Sequence, residues 1–230
     1  AGLLAGLLTG LLHTVLGIPA ILSGILTQLI LWSANLKIMG KANISLSARS
    51  YKVMLTQMNI NSSIAVLAVI GIILIALLYW FFGTELGCSV RATGCNLNMS
   101  RAQGINTNVN IVLGLMLSNA IVALSGALLA QYQGFADINM GKGAIVIGLA
   151  AVIIGEAVFS KIARNFAVRL FAVIVGGIIY YIVYQVIIFL GIDTDLLKML
   201  SALVVAVFLG VPYVKKHYFA SAVKGGKNNA

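Results

Sequence analysis

Long apolar runs, separated by short polar or glycine-marked breaks, make up most of this chain. The first, "AGLLAGLLTGLLHTVL" over residues 1–16, places Gly2, Gly6 and Gly10 at every fourth position. That period puts the three glycines on one helix face, where a small-residue stripe lets a second helix approach closely. "GIP" at 17–19 interrupts the run, because the residue before a proline avoids helix while proline itself starts one well. Spans are then predicted over 19–36, 64–83 and 107–130, with a polar stretch at 37–63 that holds a short amphipathic helix over 48–58. Beyond them "QYQGFADINMGKG" (131–143) is too polar for lipid, and the apolar run 144–159 falls short of the roughly 20 residues a crossing needs. Such a pair reads as a re-entrant or broken element, tolerated where protein or water surrounds it. Two more spans, 168–190 and 195–213, are joined by "GIDTD" and followed by a basic tail at 215–230.

The fold class that follows is all-α: a polytopic helical transmembrane bundle occupying 1–214, with a re-entrant or broken helix. Composition agrees. Only 9% of the 230 residues are charged, against about 25% in ordinary globular domains. The runs are apolar on every face, which excludes the alternating pattern of a β-barrel. A net charge of +10 raises the question of nucleic acid, but the basic residues are spread over loops and tail, and membrane topology explains them more simply. The partners this implies are membrane lipid and no nucleic acid. The sequence opens at Ala1 in apolar residues with no basic stretch before them, which is not a signal peptide. A further N-terminal part of the natural protein is expected to precede it.

Charge also orients the chain. With the C-terminal tail in the cytoplasm, parity puts 84–106 and 160–169 there too, together with Arg91, Arg101, Lys161, Arg164, Arg169, Lys215, Lys216, Lys224 and Lys227. Lys37, Lys41, Arg49, Lys52 and Lys142 fall outside, and Lys198 lies near the outer end of its span. The balance follows the positive-inside rule, with 37–63 as its exception.

The polar interruption at 84–108, "TELGCSVRATGCNLNMSRAQGINTN", carries the chemistry. Its second half is predicted to be a short capped helix, with Asn96 as N-cap and Gly104 at the C′ position. Gly94 is expected to allow a sharp turn just before it. Cys88 and Cys95 stand in a C-x6-C spacing that matches no zinc site and reads as ordinary reduced thiols. Arg91 and Arg101 either contact a partner protein or anchor the loop at lipid headgroups.

This segment resembles the "G-x-x-x-R-A-x-G-x-N-x-x-x-A-x-x-x-G-I-N" signature of inner-membrane permeases of the ribose and branched-chain amino acid type in bacterial ABC importers. Gly87, Arg91, Ala92, Gly94, Asn96, Gly104, Ile105 and Asn106 stand in its order and spacing. "GLLTGLLHTVLGIPAILSGILTQLILWS", "SNAIVALSGALLAQYQGFADINMGKGAIVIGLAAVIIG" and "GIDTDLLKMLSALVVAVFLGVP" resemble further parts of the same family, so the likeness covers nearly the whole chain. Its wording fits best a branch labelled tryptophan or tyrosine transport permeases. One departure is "GEAVFSKIARN" at 155–165, where ribose-type permeases carry a glycine-rich turn; this puts sugar specificity in doubt.

The resemblance implies a permease subunit in a bacterial inner membrane, multi-pass with a cytoplasmic C-terminus, passing an amino acid or similar small solute. It implies a separate ATP-binding cassette subunit, since no G-x-x-x-x-G-K-[ST] stands in this chain. ATP and Mg would therefore be held by that partner, with no cofactor and no catalytic residue here. Residues 84–106 would be the cytosolic coupling loop, carried by Gly87, Arg91, Ala92, Gly94, Asn96, Arg101 and Gly104. A second permease copy, as a homodimer, and an extracellular substrate-binding protein complete the expected assembly. The basic stretch with Lys41, Arg49 and Lys52 is the candidate dock for that binding protein.

Candidates for a substrate path are the polar residues on apolar spans: Gln28, Trp32, Asn35, Ser118, Asn119, Ser125 and Gln131. Each also reads as a helix–helix hydrogen-bonding group. Glu156 reads as a structural pair with Lys161, while Asp137 and Lys142 either gate or cap the outer break. His13 has no partner for a metal role, and Tyr180, Tyr181 and Tyr184 read as packing residues. The alternative function, an ATP-independent secondary transporter or channel, would be expected to carry coupling carboxylates at mid-membrane, and Glu156 is the one candidate. An intramembrane enzyme is excluded by the lack of any Ser/His, paired Asp or H-E-x-x-H arrangement.

Overall fold

The computed structural model describes residues 1–46, Leu55, 60–141, 144–159, 165–189 and Met199. Helices α1 (Gly2–Thr14), α2 (Ala20–Met39), α3 (Ile60–Gly83), α4 (Glu85–Cys95), α5 (Leu97–Ala102) and α6 (Thr107–Gln133) belong to a first compact unit, Ala1–Gly141. Two strands, β1 (Asn43–Ser45) and β2 (Phe135–Asp137), also belong to it among the described residues. The second unit, from Lys142 onward, contains α7 (Ala144–Phe159) and α8 (Phe166–Phe189).

Among the described residues four helices, α2, α3, α6 and α8, are long and apolar enough to cross a membrane. At a 1.5 Å rise the described parts of α1 and α7 measure ~20 and ~24 Å. The helical membrane architecture is as expected, and large apolar side chains such as Ile72, Trp80 and Val122 point outward from it. The 48–58 helix apart from Leu55, the 160–164 loop, the 195–213 span apart from Met199 and the 215–230 tail lie outside the described residues.

The break between α1 and α2 is compact. Gly17 takes a left-handed φ of +68°, and Pro19 sits just ahead of the first residue of α2. His13 closes the turn, its Nδ1–H donating to the Ile18 carbonyl at 2.7 Å. That bond gives the histidine a structural task.

Gly2, Gly6 and Gly10 line the contact between α1 and α6. A methyl group at Gly6 would meet the Leu115 carbonyl and the Met116 Cα, and one at Gly2 would meet the Asn119 carbonyl. In lipid, where apolar attraction between helices is weak, such close backbone approach supplies the packing. On the neighbouring side, the buried Thr9 and Thr27 hydroxyls lie 3.0 Å apart and link α1 to α2. In the second unit α7 and α8 use the same device, with Gly155 against the Ala172 carbonyl and Gly176 against that of Ala151. Ala150, Ile154 and Tyr180 form the small core there. Tyr180 stacks on Tyr184 at 6.5 Å as a packing residue, while Tyr181 is 59% exposed.

One feature departs from a purely helical reading. β1 and β2 pair antiparallel, Asn43 with Asp137, Ile44 with Ala136 and Ser45 with Phe135. The Leu46 N–H donates to the Gly134 carbonyl and the Ile138 N–H to that of Ala42, extending the ribbon by a bond at each end. Part of the segment expected to be irregular after residue 130 is therefore ordered, as the end of α6 and a strand. Strands of three residues carry too little alternation to be seen in sequence.

Candidate functional site

The polar interruption is almost wholly helical and is held against the start of α6. Thr84 caps α4: its hydroxyl donates to the Phe81 carbonyl at 2.6 Å and accepts from the Gly87 N–H at 3.3 Å. Gly87 is buried against the backbone of Phe81 and Phe82, where no side chain fits. The chain therefore turns sharply out of α3.

Asn96 makes the next turn. Its backbone is extended (φ −155°, ψ 104°), and its side chain accepts from the N–H groups of Asn98 and Met99, both at 3.1 Å. This is the cap predicted from sequence. Gly104 follows α5 with φ +79°, the left-handed C′ position that glycine adopts without steric cost. Its N–H and that of Ile105 return to the carbonyls of Arg101 and Ser100. Asn106 then caps α6, accepting from the Val109 N–H at 3.4 Å.

Two expectations change here. The first half of the segment is not loop but helix α4, and Gly94 makes no turn. Gly94 lies within α4 with nothing within 4 Å of where a methyl group would stand. The turn falls two residues later, because Asn96 can cap α5 and Gly94 cannot.

Three polar ties fasten this element to α6. The Asn110 amide donates to Ser89 Oγ at 2.6 Å and to Thr93 Oγ1 at 2.9 Å. The Arg101 Nε–H donates to Thr107 Oγ1 at 3.0 Å. Thr93, Ser100, Thr107 and Asn110 are all buried, at 5% exposure or less. Sequence reasoning passed over Ser89, Thr93, Thr107 and Asn110. Their signal was present as hydroxyls at i and i+4 on α4 and polar groups in the first turn of α6, a pattern that marks a face only once both helices are known.

Much of the element's remaining surface is open. Leu86 and Met99 are 61% and 59% exposed, and Leu97, Arg91, Ala92 and Arg101 are exposed as well. Apolar knobs among arginines, on a braced helical hook, form a surface suited to a protein partner. Cys88 and Cys95 are exposed free thiols on α4. Among the described residues no group of three His, Cys, Asp or Glu could hold a metal ion.

The proposed path residues do not converge. Gln28, Trp32 and Asn35 are exposed and share one face of α2. Ser118 and Asn119 both return their polar hydrogens to the Leu115 carbonyl of their own helix. Ser125 lines a cavity of about 290 Å³ between α3 and α6, with Leu67, Ile70, Leu74, Leu128 and Tyr132. Gln131 Oε1 is buried without a hydrogen bond. Lys41 is exposed just before β1, whereas Arg49, Lys52, Lys142 and Lys161 lie outside the described residues. Asp137 Oδ1 accepts from the Asn139 N–H at 2.6 Å in the turn after β2. Glu156 is exposed on α7.

The helical hook sits at one end of α6 and the β ribbon at the other, ~40 Å away along a 27-residue helix. A family model for the permease component of branched-chain amino acid transport systems matches residues 1–211. The chain belongs to that family. It is thus a multi-pass transmembrane permease subunit, as the residues at 84–108 suggested. It is 41% identical over 208 residues to the tyrosine transport system permease protein of Clostridioides difficile, covering 90% of this chain and 68% of that one. An uncharacterized protein of Rickettsia prowazekii, RP368, is 33% identical over 201 residues, covering 86% of this chain and 70% of that one. The autoinducer 2 import system permease protein LsrC of Escherichia coli is 31% identical over 163 residues, 67% of this permease and 45% of LsrC. No solved structure matches the chain.

Proposed function

We propose that this permease is the membrane subunit of an ABC importer, and that α4–α5 is where a separate ATPase subunit acts on it. The observation that carries this reading is the braced hook: a capped, two-helix element with exposed Leu86, Arg91, Leu97 and Met99, tied by buried polar bonds to a membrane-length helix. Its coupling residues are then Arg91, Ala92, Gly94 and Arg101 at the surface, with Gly87, Asn96 and Gly104 shaping the element. The hook faces the cytoplasm with residues 215–230, and the ribbon faces outward. ATP and Mg reside on the partner chain.

The substrate is an amino acid or similar small solute, a reading supported by the family description and the tyrosine transport relative. Residues 1–214 form the transmembrane domain, working as a homodimer with its ATPases and an extracellular binding protein that docks near Lys41, Arg49 and Lys52. Gln28, Trp32 and Asn35 are the better path candidates, because all three share one face of α2, whereas on α6 Asn119 and Gln131 lie away from the face of Ser118 and Ser125. The partner-free transporter is disfavoured because the described membrane-length helices α2, α3, α6 and α8 carry no Asp or Glu that could couple an ion.

The test is ATP hydrolysis by the assembled transporter in liposomes, with tyrosine, tryptophan and branched-chain amino acids added in turn with the binding protein. Leu86→Asp with Arg91→Ala is expected to cut stimulation about tenfold, as a loss of ~1.4 kcal/mol at an interface would. Failure of any ATPase to co-purify with the unmodified permease would reject the importer reading.

A further inference from the structure

We propose that Asn110 is the positioning residue that joins α4–α5 to α6 as one lever, so that displacement of the hook is delivered to the membrane helix rather than lost in a flexible loop. The inference rests on α4–α5 being the coupling element.

Asn110 lies in the first turns of α6 yet is 5% exposed. Its amide nitrogen carries two hydrogens, and both are used, toward Ser89 Oγ at 2.6 Å and Thr93 Oγ1 at 2.9 Å. The Thr93 hydroxyl spends its own hydrogen on the Ser89 carbonyl at 2.8 Å, which leaves its oxygen to accept. The sense of this bond is therefore set, with asparagine donating and threonine accepting. Ser89 and Thr93 stand one turn apart on the same face of α4. One side chain thus grips α4 at two points along its axis.

Hydrogen bonds weaken steeply when bent, so α4 cannot roll or slide against α6 without losing both. Arg101, donating to Thr107 at 3.0 Å, adds a tie at the far end of the connector. The neighbouring apolar contact, Val90 Cγ1 facing Gly114, has no such direction. The polar ties are directional and resist rotation.

The experiment uses the complete transporter in liposomes and reads substrate uptake per ATP hydrolysed, together with amide hydrogen exchange along α4. Thr93→Val keeps the shape and removes an acceptor, Thr93→Ser keeps the hydroxyl, and Asn110→Leu removes both bonds. Thr93→Val and Asn110→Leu are expected to lower uptake per ATP by about fivefold or more, and to speed exchange across residues 90–96 about tenfold. Thr93→Ser is expected to retain both wild-type values. Wild-type exchange in α4 of Thr93→Val and Asn110→Leu would overturn the inference, even if no ATPase were ever found. Fast exchange with unchanged uptake per ATP would equally overturn it, while leaving the importer reading intact. Absence of an associated ATPase would instead reject the coupling reading on which the lever depends.

Discussion

Helix α6 is attached to two neighbours by opposite means. Along α1 the contact is made by removing side chains: Gly2, Gly6 and Gly10 bring backbone against backbone, with only weak chemistry between them. Along α4 the contact is made by adding it: a buried asparagine whose amide hydrogens reach two hydroxyls. The first kind of contact lies in the apolar part of the chain, where dispersion at close range is the available force. The second lies at the helix end, where the chain turns and direction matters. Close packing without polar groups holds distance; hydrogen bonds hold angle.

The contrast can be broken from either side. The largest expected effect is Gly6→Leu, whose side chain would drive into the Leu115 carbonyl and the Met116 backbone. A loss of ~3 kcal/mol is expected, read as an earlier unfolding midpoint in mixed detergent; an unchanged midpoint would show that α1 does not rest on α6 there. Gly104→Ala is smaller. It puts a Cβ at φ +79°, for ~1–2 kcal/mol, and the expected signature is faster hydrogen exchange in α5 with the α1–α6 contact unaffected. The smallest change has the other sign: Gly94→Ala fills open space inside α4 and is expected to stabilise it by up to ~1 kcal/mol. A clear loss of stability in that variant would return Gly94 to the role of a turn residue.

These positions also show how far the sequence could be read. The helices, the glycine stripe, the break before Pro19 and the Asn96 and Gly104 caps were legible, because each depends on residues next to one another in the chain. The α4 helix was not. A polar segment with two glycines reads as loop, and what makes it helical is the Thr84 cap together with packing of its hydroxyl face on Asn110, seventeen or more residues away. The β ribbon was hidden for the same reason, since its strands are short and its partners distant. At the site, the exposed arginines and capping residues stood out in the sequence, while the buried asparagine and hydroxyls that orient them did not. Surface chemistry announces itself by type; a buried polar joint is defined by what it meets.

The ribbon has a consequence for biogenesis. Asn43 pairs with Asp137, and Ile138 with Ala42, so the two strands are separated in the chain by all of α3, α4, α5 and α6. A nascent chain emptying into the membrane can lay down α2 early, but its first strand must stay unpaired until α6 has crossed and its end has emerged. Closing so long a loop carries an entropic cost that local contacts do not. The ribbon is thus the clasp of a ring, closed only when α3 and α6 have both been laid down between its halves. A pair of cysteines placed across it would report, by crosslinking, on completed insertion of the first unit.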